Sequence, residues 1–178
     1  CSIQRRHQKL IEIAPAWHHS SEVRKNVQED ALKLTRACKY LCAGTVEFLV
    51  DENGRHYFME VNPRVQVEHT VTEEVTNIDI VQSTFLIAGG ATFKQLGLDQ
   101  DTIIPVGIAM QCRITTEDPA KDFAPDTGML DVCRHSTGPG IRIDGCGYAG
   151  MVIQPYFDSL LVKYTAKSST WEGVVRRM

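Results

Sequence analysis

Two strand-like segments joined by an Asn-Gly pair constrain the fold of this chain more than any other feature. Residues 44–50 read Gly-Thr-Val-Glu-Phe-Leu-Val and residues 55–61 read Arg-His-Tyr-Phe-Met-Glu-Val, with Asp-Glu-Asn-Gly between them. Asn-Gly is the strongest short signal for a β-hairpin, because both central residues of a type I′ turn need positive φ. The pattern therefore predicts an antiparallel hairpin with Asn53-Gly54 at its tip.

Counting back from this turn predicts how the two strands pair. Glu52 would face Arg55, and Glu47 would then lie directly opposite Glu60. Because side chains alternate between the two faces of a strand, one face is predicted to be apolar and to carry Val46, Phe48, Val50, Tyr57, Met59 and Val61. The other face would carry Glu47, Leu49, Phe58, Glu60 and Asn62.

The opposed pair of carboxylates, Glu47 and Glu60, requires an explanation. Side chains directly opposite each other have Cβ atoms about 4.5–5.5 Å apart, and like charges there are destabilising. A hard cation that prefers oxygen ligands, Mg²⁺ or Mn²⁺, would relieve the repulsion. The alternative is a solvated sheet face on which two glutamates point into water, since surface glutamates are common.

The segment after the hairpin favours the cation site. Residues 60–69 read Glu-Val-Asn-Pro-Arg-Val-Gln-Val-Glu-His, which fits neither a helical nor a strand period, and Pro63 ends the strand. This segment resembles the active-site loop of biotin carboxylases, which belong to the ATP-grasp superfamily. Further stretches that resemble the same family follow one another in order at residues 1–9, 44–48, 111–119 and 156–163.

The resemblance implies an α+β fold with mostly antiparallel strands. Residues 1–103 would form the C-terminal half of an ATP-grasp domain, and residues 104–178 an incomplete biotin carboxylase C-terminal subdomain. We expect an interior fragment that is inactive alone, because the Gly-rich lid over the ATP phosphates would lie upstream. Helices are predicted from Ser20 or Ser21 to about Leu41, from about Asp79 to Ala88 and from about Thr170, and strands at 104–115, 128–134, 140–143 and 160–165.

The resemblance also implies the reaction and its nucleotide site. A biotin carboxylase is an ATP-dependent ligase that activates bicarbonate as carboxyphosphate and then carboxylates N1′ of biotin, which is carried on a separate domain. The magnesium or manganese ligands would be Glu47, Glu60 and Asn62. The nucleotide would be contacted by Leu49, Gln4 and His7, with Leu49 against the adenine.

The same resemblance assigns the residues that act on bicarbonate and biotin. Arg64, Gln66 and the backbone of Val67 would bind bicarbonate, and Glu68 would be the base that removes its proton. Lys9 would reach the transferring phosphate or bicarbonate. Arg113 would stabilise the biotin enolate oxygen, an oxyanion-type task.

Several of these residues have simpler interpretations without the resemblance. His7 lies in a run with Arg5, Arg6 and Lys9, which is also typical of a solvated basic strand. Arg113 is compatible with a surface arginine, and Asn62-Pro63 with a mere turn. His69 is expected to support the loop rather than to catalyse. Asn77 stands where the family commonly has glycine, and the turn is expected to survive because asparagine tolerates the left-handed region.

Sequence variants within the motifs resemble the pyruvate carboxylases among the biotin carboxylases. They include Val61-Asn62-Pro63-Arg64 and Glu68-His69-Thr70. The implied parent makes oxaloacetate from pyruvate and is expected to be a homo-oligomer. The alternatives are an acyl-CoA carboxylase, another ATP-grasp ligase such as a carbamoyl-phosphate synthetase, and a non-catalytic interaction fragment.

Composition narrows the partners and the compartment. The chain has 178 residues, 43% of them hydrophobic, and a net charge of −3 from interspersed acidic and basic residues, so it offers no electrostatic case for nucleic acid or an anionic membrane. No apolar run approaches the roughly 18 residues that a bilayer span needs. The six cysteines form no close CxxC pair, which is typical of reduced thiols inside a cell. We therefore expect the mitochondrial matrix or the cytoplasm.

Overall fold

Strands outnumber helices in this chain, and their pairing is mostly antiparallel. The computed structural model describes residues 1–178, the whole sequence. In chain order the strands are β1 Ser2–Arg5, β2 Gln8–Ala14, β3 Thr45–Val50, β4 His56–Asn62, β5 Ile108–Thr115, β6 Glu117–Asp118, β7 Ala124–Pro125, β8 Gly128–Met129, β9 Ile141–Gly145, β10 Val152–Ile153 and β11 Leu160–Ser168. The α-helices are α1 Ser21–Ala37, α2 His69–Thr76, α3 Ile80–Ala88 and α4 Trp171–Arg177, and the expected α+β class is confirmed.

The chain divides into two compact units. Cys1–Ile13 and Gly107–Met178 form the first, and Ala14–Val106 forms the second. None of the helices combines the length and the hydropathy that crossing a membrane would need.

The first unit is built on a five-stranded sheet in the order β1-β2-β5-β11-β9. The β1–β2, β5–β11 and β9–β11 pairs are antiparallel. One face of the sheet is apolar, because alternate residues of β2 and β5 are hydrophobic, and α4 packs against it. The buried core there consists of Ile13, Met110 and Val174, with Ile11, Ile108 and Trp171 packed around it.

The second unit contains the β3–β4 hairpin, which is a separate two-stranded sheet, and helices α1, α2 and α3. The hairpin is tied to α1 by a contact of 2.7 Å between His56 Nε2 and Asp30 Oδ2. Helix α1 begins after its predicted N-cap, Ser20, whose hydroxyl accepts from the Val23 amide. It ends at Ala37, earlier than predicted. Helix α3 agrees with the prediction, with Asp79 as its N-cap.

The predicted pairing near the hairpin turn is wrong. The loop has three residues, closed by a hydrogen bond of 2.9 Å from the Asp51 amide to the Arg55 carbonyl, and only Gly54 in the loop has positive φ (79°). This geometry suits a type I turn followed by a left-handed glycine. The extra loop residue shifts the register by one, so Val50 pairs with His56 rather than with Tyr57.

A bulge at Met59 restores the register, and the prediction that Glu47 lies opposite Glu60 is confirmed. Between the turn and the bulge, the two faces differ from the predicted ones. Tyr57 pairs with Leu49 on the glutamate face, whereas Phe58 pairs with Phe48, with ring centroids 6.3 Å apart.

The strand predicted from Ile104 is shorter than expected. It begins at Ile108, because Gly107 has a positive φ of 76° and Val106 donates instead to the Val75 carbonyl at 2.7 Å. The strand predicted over residues 128–134 covers only Gly128–Met129, and those predicted over 140–143 and 160–165 appear as β9 and β11. Asn77 takes the left-handed conformation expected of it, with φ 58°.

Candidate active site

The hairpin and the loop after it gather two carboxylates and two amides. Asn62 Nδ2 donates to Glu47 Oε1 at 3.2 Å and to Glu60 Oε1 at 2.8 Å. Gln66 Nε2 reaches the same Glu47 oxygen at 3.0 Å. Asn62 shares the glutamate face because it is two residues beyond Glu60 on β4. These four residues, Glu47, Glu60, Asn62 and Gln66, are called the carboxylate cluster below.

The carboxylate cluster fits a divalent cation. Both carboxylates converge on one amide, so their Oε1 atoms lie within a few ångströms of one point. Carboxylate and amide oxygens are the ligands that Mg²⁺ and Mn²⁺ prefer. The Asn62 amide donates its N–H groups to the glutamates here. Turning that amide over would present its oxygen instead, so the side chain can serve as partner or as ligand.

Gln66 carries the most unusual atom of the cluster. Its Oε1 is buried and has no hydrogen-bond partner. A buried polar atom without a partner costs about 1–3 kcal/mol, so a ligand that donates a hydrogen bond would be favoured there. The neighbouring Arg64 is exposed and uses Nη1 to donate to the Val65 carbonyl at 3.2 Å. The loop after β4 thus contains both an amide oxygen that lacks a hydrogen-bond donor and an exposed guanidinium.

The end of this loop is fixed by helix α2, which sequence reasoning missed. Five of its eight residues are β-branched threonine or valine, which have weak helix propensity, so its sequence does not indicate a helix. Burial of Thr70, Val71, Glu73 and Val75 stabilises it instead. Glu68 is its N-cap residue and is half-buried, with Val67 immediately before it.

His69 supports the loop, as expected. Its Nδ1 lies 2.8 Å from the Gln66 carbonyl, which can only accept, so Nδ1 carries the proton. Its Nε2 is 3.8 Å from Glu73 Oε2. Glu73 in turn accepts from the Ile80 amide at 2.7 Å. The chain from Gln66 to α3 is therefore held through one imidazole and one buried carboxylate.

The remaining nucleotide-side residues lie on the β1–β2 hairpin of the first unit. Gln4 and Lys9 are directly opposed, and His7 lies in the turn with Arg6, with φ values of 64° and 51°. Two successive positive φ values are typical of a type I′ turn. Sequence reasoning missed this turn because Arg-His lacks the Asn and Gly that usually mark it. His7 is exposed and Lys9 is half-buried.

Arg113 lies on β5 and is bound by a carboxylate that sequence reasoning missed. Glu12 on β2 is 3% exposed. Its Oε1 accepts from Arg113 Nε at 2.7 Å and Nη2 at 2.5 Å, and its Oε2 accepts from Gln111 Nε2 at 2.9 Å. A glutamate inside the apolar run of β2 was the available signal, because a buried carboxylate needs a cationic partner.

The predicted site residues are thus distributed over both units. Those in the second unit are Glu47, Leu49, Glu60, Asn62, Arg64, Gln66, Val67 and Glu68, and those in the first are Gln4, His7, Lys9 and Arg113. Within the second unit, the structure brings Glu47, Glu60, Asn62 and Gln66 into direct contact. Leu49 is 61% exposed beside Tyr57. That all twelve serve one site stays a prediction.

Comparison with known families gives two matches along the chain. Residues 1–96 match the carbamoyl-phosphate synthase L chain, ATP binding domain, and residues 111–178 match the biotin carboxylase C-terminal domain. The pyruvate carboxylase of Pichia angusta is 57% identical over 179 aligned positions, which cover all of this chain and 15% of that protein. The chain therefore spans only a small part of the length of the curated relatives that it matches.

Solved structures agree with the sequence matches. Rhizobium etli pyruvate carboxylase superposes with a TM-score of 0.95 at 48% identity, covering 99% of this chain and 18% of that one. The biotin carboxylase domain dimer of Hydrogenobacter thermophilus 2-oxoglutarate carboxylase, solved with MgADP and bicarbonate, gives 0.94 at 43%, covering all of this chain and 39% of that one. The chain therefore belongs to the ATP-binding domain family of the carbamoyl-phosphate synthase L chain, and its C-terminal part matches the biotin carboxylase C-terminal domain.

Proposed function

We propose that this chain supplies the metal, bicarbonate and biotin contacts of the biotin carboxylase part of a pyruvate carboxylase. In that reaction ATP phosphorylates bicarbonate and leaves as ADP. The resulting carboxyphosphate decomposes to CO₂ and phosphate, and N1′ of biotin loses its proton and is carboxylated by the CO₂. The observation that carries the proposal is the carboxylate cluster. In it, Glu47 and Glu60 are opposed on the hairpin, and the loop that follows contains the buried, unpaired Gln66 oxygen together with Arg64 and Glu68.

Glu47, Glu60 and Asn62 are the proposed metal ligands. When bound, Mg²⁺ neutralises charge on the phosphate oxygens during phosphoryl transfer. The hairpin holds the two carboxylates at a fixed spacing, because they are cross-strand neighbours on a closed antiparallel ladder. The Hydrogenobacter domain crystallised with MgADP supports this use of magnesium. Manganese in its place stays a prediction.

Bicarbonate is the proposed ligand of the loop. The guanidinium of Arg64 can pair with two oxygens of a planar anion at once. The bicarbonate hydroxyl can donate to Gln66 Oε1, which is buried and lacks a donor. For the reaction, that proton would pass from the hydrogen bond with Gln66 to Glu68, the proposed base, so that the deprotonated oxygen attacks the γ-phosphorus and ADP leaves. The half-buried position of Glu68, at the start of α2, keeps its backbone fixed.

Arg113 and Lys9 are proposed to act on anionic groups, Arg113 in the carboxylation of biotin and Lys9 in the earlier phosphoryl transfer. Arg113 would donate to the ureido oxygen of biotin as negative charge develops there, and Lys9 would approach the phosphate or bicarbonate. Leu49 is proposed to pack on adenine, with Gln4 and His7 on the nucleotide side. The exposure of Leu49 is compatible with a ligand that covers it.

The final acceptor, the partner domain, the oligomeric state and the compartment of the parent enzyme are also proposals. Pyruvate as the final acceptor rests on the curated relatives, which are pyruvate carboxylases. The biotin-bearing domain, a homo-oligomeric parent, the compartment and a domain boundary near residue 103 stay predictions. The Hydrogenobacter domain, itself a dimer, supports the oligomer. The biotin carboxylase match at 111–178 favours this function over carbamoyl-phosphate synthesis.

A chimeric enzyme tests the proposed metal site. This chain replaces the matching segment of Rhizobium etli pyruvate carboxylase, and bicarbonate-dependent ATP cleavage is titrated with Mg²⁺. Glu47→Gln and Glu60→Gln remove ligand charge with little change in shape, so we expect at least a 10²-fold loss of rate, on the order of one charge-stabilising contact. The matched control is Glu52→Gln, an exposed glutamate in the turn of the same hairpin.

The control variant is expected to keep the parental rate and the parental Mg²⁺ dependence. If Glu47→Gln and Glu60→Gln behave like Glu52→Gln, the two glutamates are solvated surface residues and the metal assignment is wrong.

A further inference from the structure

The buried carboxylate of Glu12 is not used by the proposed reaction, yet both of its oxygens are bound by side chains. It binds Arg113 through two guanidinium nitrogens, at 2.7 Å from Nε and 2.5 Å from Nη2. Its other oxygen accepts from Gln111 Nε2 at 2.9 Å, and Gln111 is fully buried. Both oxygens of one carboxylate are therefore engaged by neighbours on β5.

The geometry of these contacts matters because a guanidinium is planar. Binding through Nε and Nη2 uses the side of the fork and fixes the plane of Arg113. The end of the fork, formed by the two terminal nitrogens, then points away from Glu12 in a set direction. A flexible arginine would otherwise sample many rotamers at a cost in entropy.

The charges around Arg113 explain why a carboxylate is needed at this position. Lys163 on β11 is directly opposite Arg113 on the same face of the sheet, so two cations are neighbours. Asp144 on β9 is opposite Lys163 and is bound by Arg142 at 2.9 Å. Glu12 is the anion in contact with Arg113 itself. Removing its charge would leave the arginine beside a like charge in a largely buried place.

We infer that Glu12, held in place by Gln111, is a positioning residue that aims the guanidinium of Arg113 at its ligand. This inference rests on the proposed role of Arg113 in carboxyl transfer to biotin. Glu12 itself touches no reacting atom. Its loss should therefore lower the rate of the step that uses Arg113 and leave the earlier step, bicarbonate-dependent ATP cleavage, unchanged.

The test uses the chimeric Rhizobium etli carboxylase with Glu12→Gln and measures two reactions. One is bicarbonate-dependent ATP cleavage without biotin, and the other is carboxylation of free biotin, with kcat and KM determined separately. A misplacement of about 1 Å can cost about 10²-fold in rate. We expect a 10–100-fold lower kcat for biotin carboxylation, ATP cleavage within twofold of the parent, and a smaller change in KM.

Glu117→Gln is the matched control. Glu117 lies in the same unit, is largely buried and is also paired with an arginine, Arg5, but it does not contact Arg113. It should lower thermal stability without separating the two reactions. If Glu12→Gln lowers both reactions in parallel, as a merely structural change would, the inference is wrong.

A double-mutant comparison separates this inference from the proposed function. If Glu12 acts through Arg113, the variant with both Glu12→Gln and Arg113→Ala should be no slower than Arg113→Ala alone. Independent, multiplying losses would overturn the inference. If Arg113→Ala itself keeps full biotin carboxylation, the proposed role of Arg113 fails, and the inference fails with it.

A second variant serves if Glu12→Gln does not fold. Gln111→Met keeps the side-chain length and removes the amide that donates to Glu12 Oε2. It should show the same selective loss of biotin carboxylation, at about 3–10-fold, which is smaller than for Glu12→Gln because Glu12 keeps both contacts with Arg113. Parental rates for both reactions in Gln111→Met would contradict the arrangement.

Discussion

At the scale of single residues, two buried carboxylates join strands of the first unit by binding arginines. Glu12 and Glu117 are both largely buried, and each binds an arginine. Glu117 also accepts from the Ser159 hydroxyl at 3.1 Å. The Arg5 guanidinium, followed by that hydroxyl, holds the pKa of the Glu117 carboxyl below its usual value. The β1–β2 hairpin is thereby joined to the segment after β5.

This pKa shift predicts how stability depends on pH. A carboxyl whose pKa is lowered by folding stabilises the protein above its unfolded pKa of about 4.3, and that contribution is lost as pH falls through the lower folded value. Glu117→Gln should therefore cost about 1 kcal/mol of unfolding free energy at pH 7. The cost should shrink toward zero at pH values below the folded pKa.

Urea unfolding of the parent chain and of Glu117→Gln at several pH values measures this difference. A stability difference that stays constant from neutral pH down to acid would contradict the assigned ion pair, because it would not depend on ionisation of Glu117.

At the scale of elements, the start of β5 depends on a glycine that no other residue can replace easily. Gly107 has φ 76°, and a Cβ there would lie 2.5 Å from the Ser168 carbonyl oxygen at the end of β11. A side chain therefore meets both a disfavoured conformation and backbone that cannot move without opening the β5–β11 ladder.

Gly107→Ala is predicted to lower the free energy of unfolding by more than the cost of the left-handed backbone conformation alone. The left-handed conformation costs an alanine about 1–2 kcal/mol, and the contact with Ser168 adds to it. Gly150→Ala is the control, since Gly150 has φ 88° with nothing within 4 Å of its added Cβ. Equal unfolding free energies for the two variants would show that the close approach is unimportant.

The hairpin shows how much of these elements could be predicted from sequence. Asn-Gly and the alternating flanks correctly placed Glu47 opposite Glu60. The predicted place of Phe58 on the glutamate face was wrong, since Phe58 pairs with Phe48. The turn type and the bulge at Met59 depend on backbone geometry that the residue types alone do not predict. The two shifts cancel beyond the bulge, so the predicted pairing of Glu47 with Glu60 is confirmed despite the error.

Helix α2 and the contact between Glu12 and Arg113 could not be predicted from local sequence patterns. Helix α2 is rich in β-branched residues, and its stability comes from burial of residues such as Val71 and Val75. The contact between Glu12 and Arg113 joins residues 101 positions apart. It depends on β2 lying beside β5, and strand order cannot be read from residue spacing. Local patterns therefore found the metal candidates but not the partner of the arginine.

At the scale of the whole molecule, contacts and family matches divide the chain differently. Residues 1–13 pack with Gly107–Met178, because β2 is a neighbour of β5 in the five-stranded sheet. The family model for the ATP-binding domain nevertheless covers residues 1–96. The N-terminal strands therefore belong to one domain by sequence and to another unit by packing.

The two residues proposed as base and as biotin ligand lie in different units, whereas Gln4, His7 and Lys9 lie in the same unit as Arg113. The residues proposed for metal, bicarbonate and proton removal, among them Glu68, are in Ala14–Val106. The arginine proposed for biotin, Arg113, is in the other unit with its partner Glu12. Loss of Glu68 should then stop the reaction at its first step, whereas loss of Arg113 should spare that step.

The most direct test compares Glu68→Ala and Arg113→Ala in the chimeric Rhizobium etli carboxylase, by bicarbonate-dependent ATP cleavage with and without free biotin. Glu68→Ala should abolish both ATP cleavage and biotin carboxylation. Arg113→Ala should lower biotin carboxylation by roughly 10²–10³-fold, as for one lost oxyanion donor, with far less effect on ATP cleavage. Equal losses on both reactions for Arg113→Ala, or substantial ATP cleavage in Glu68→Ala, would contradict the account.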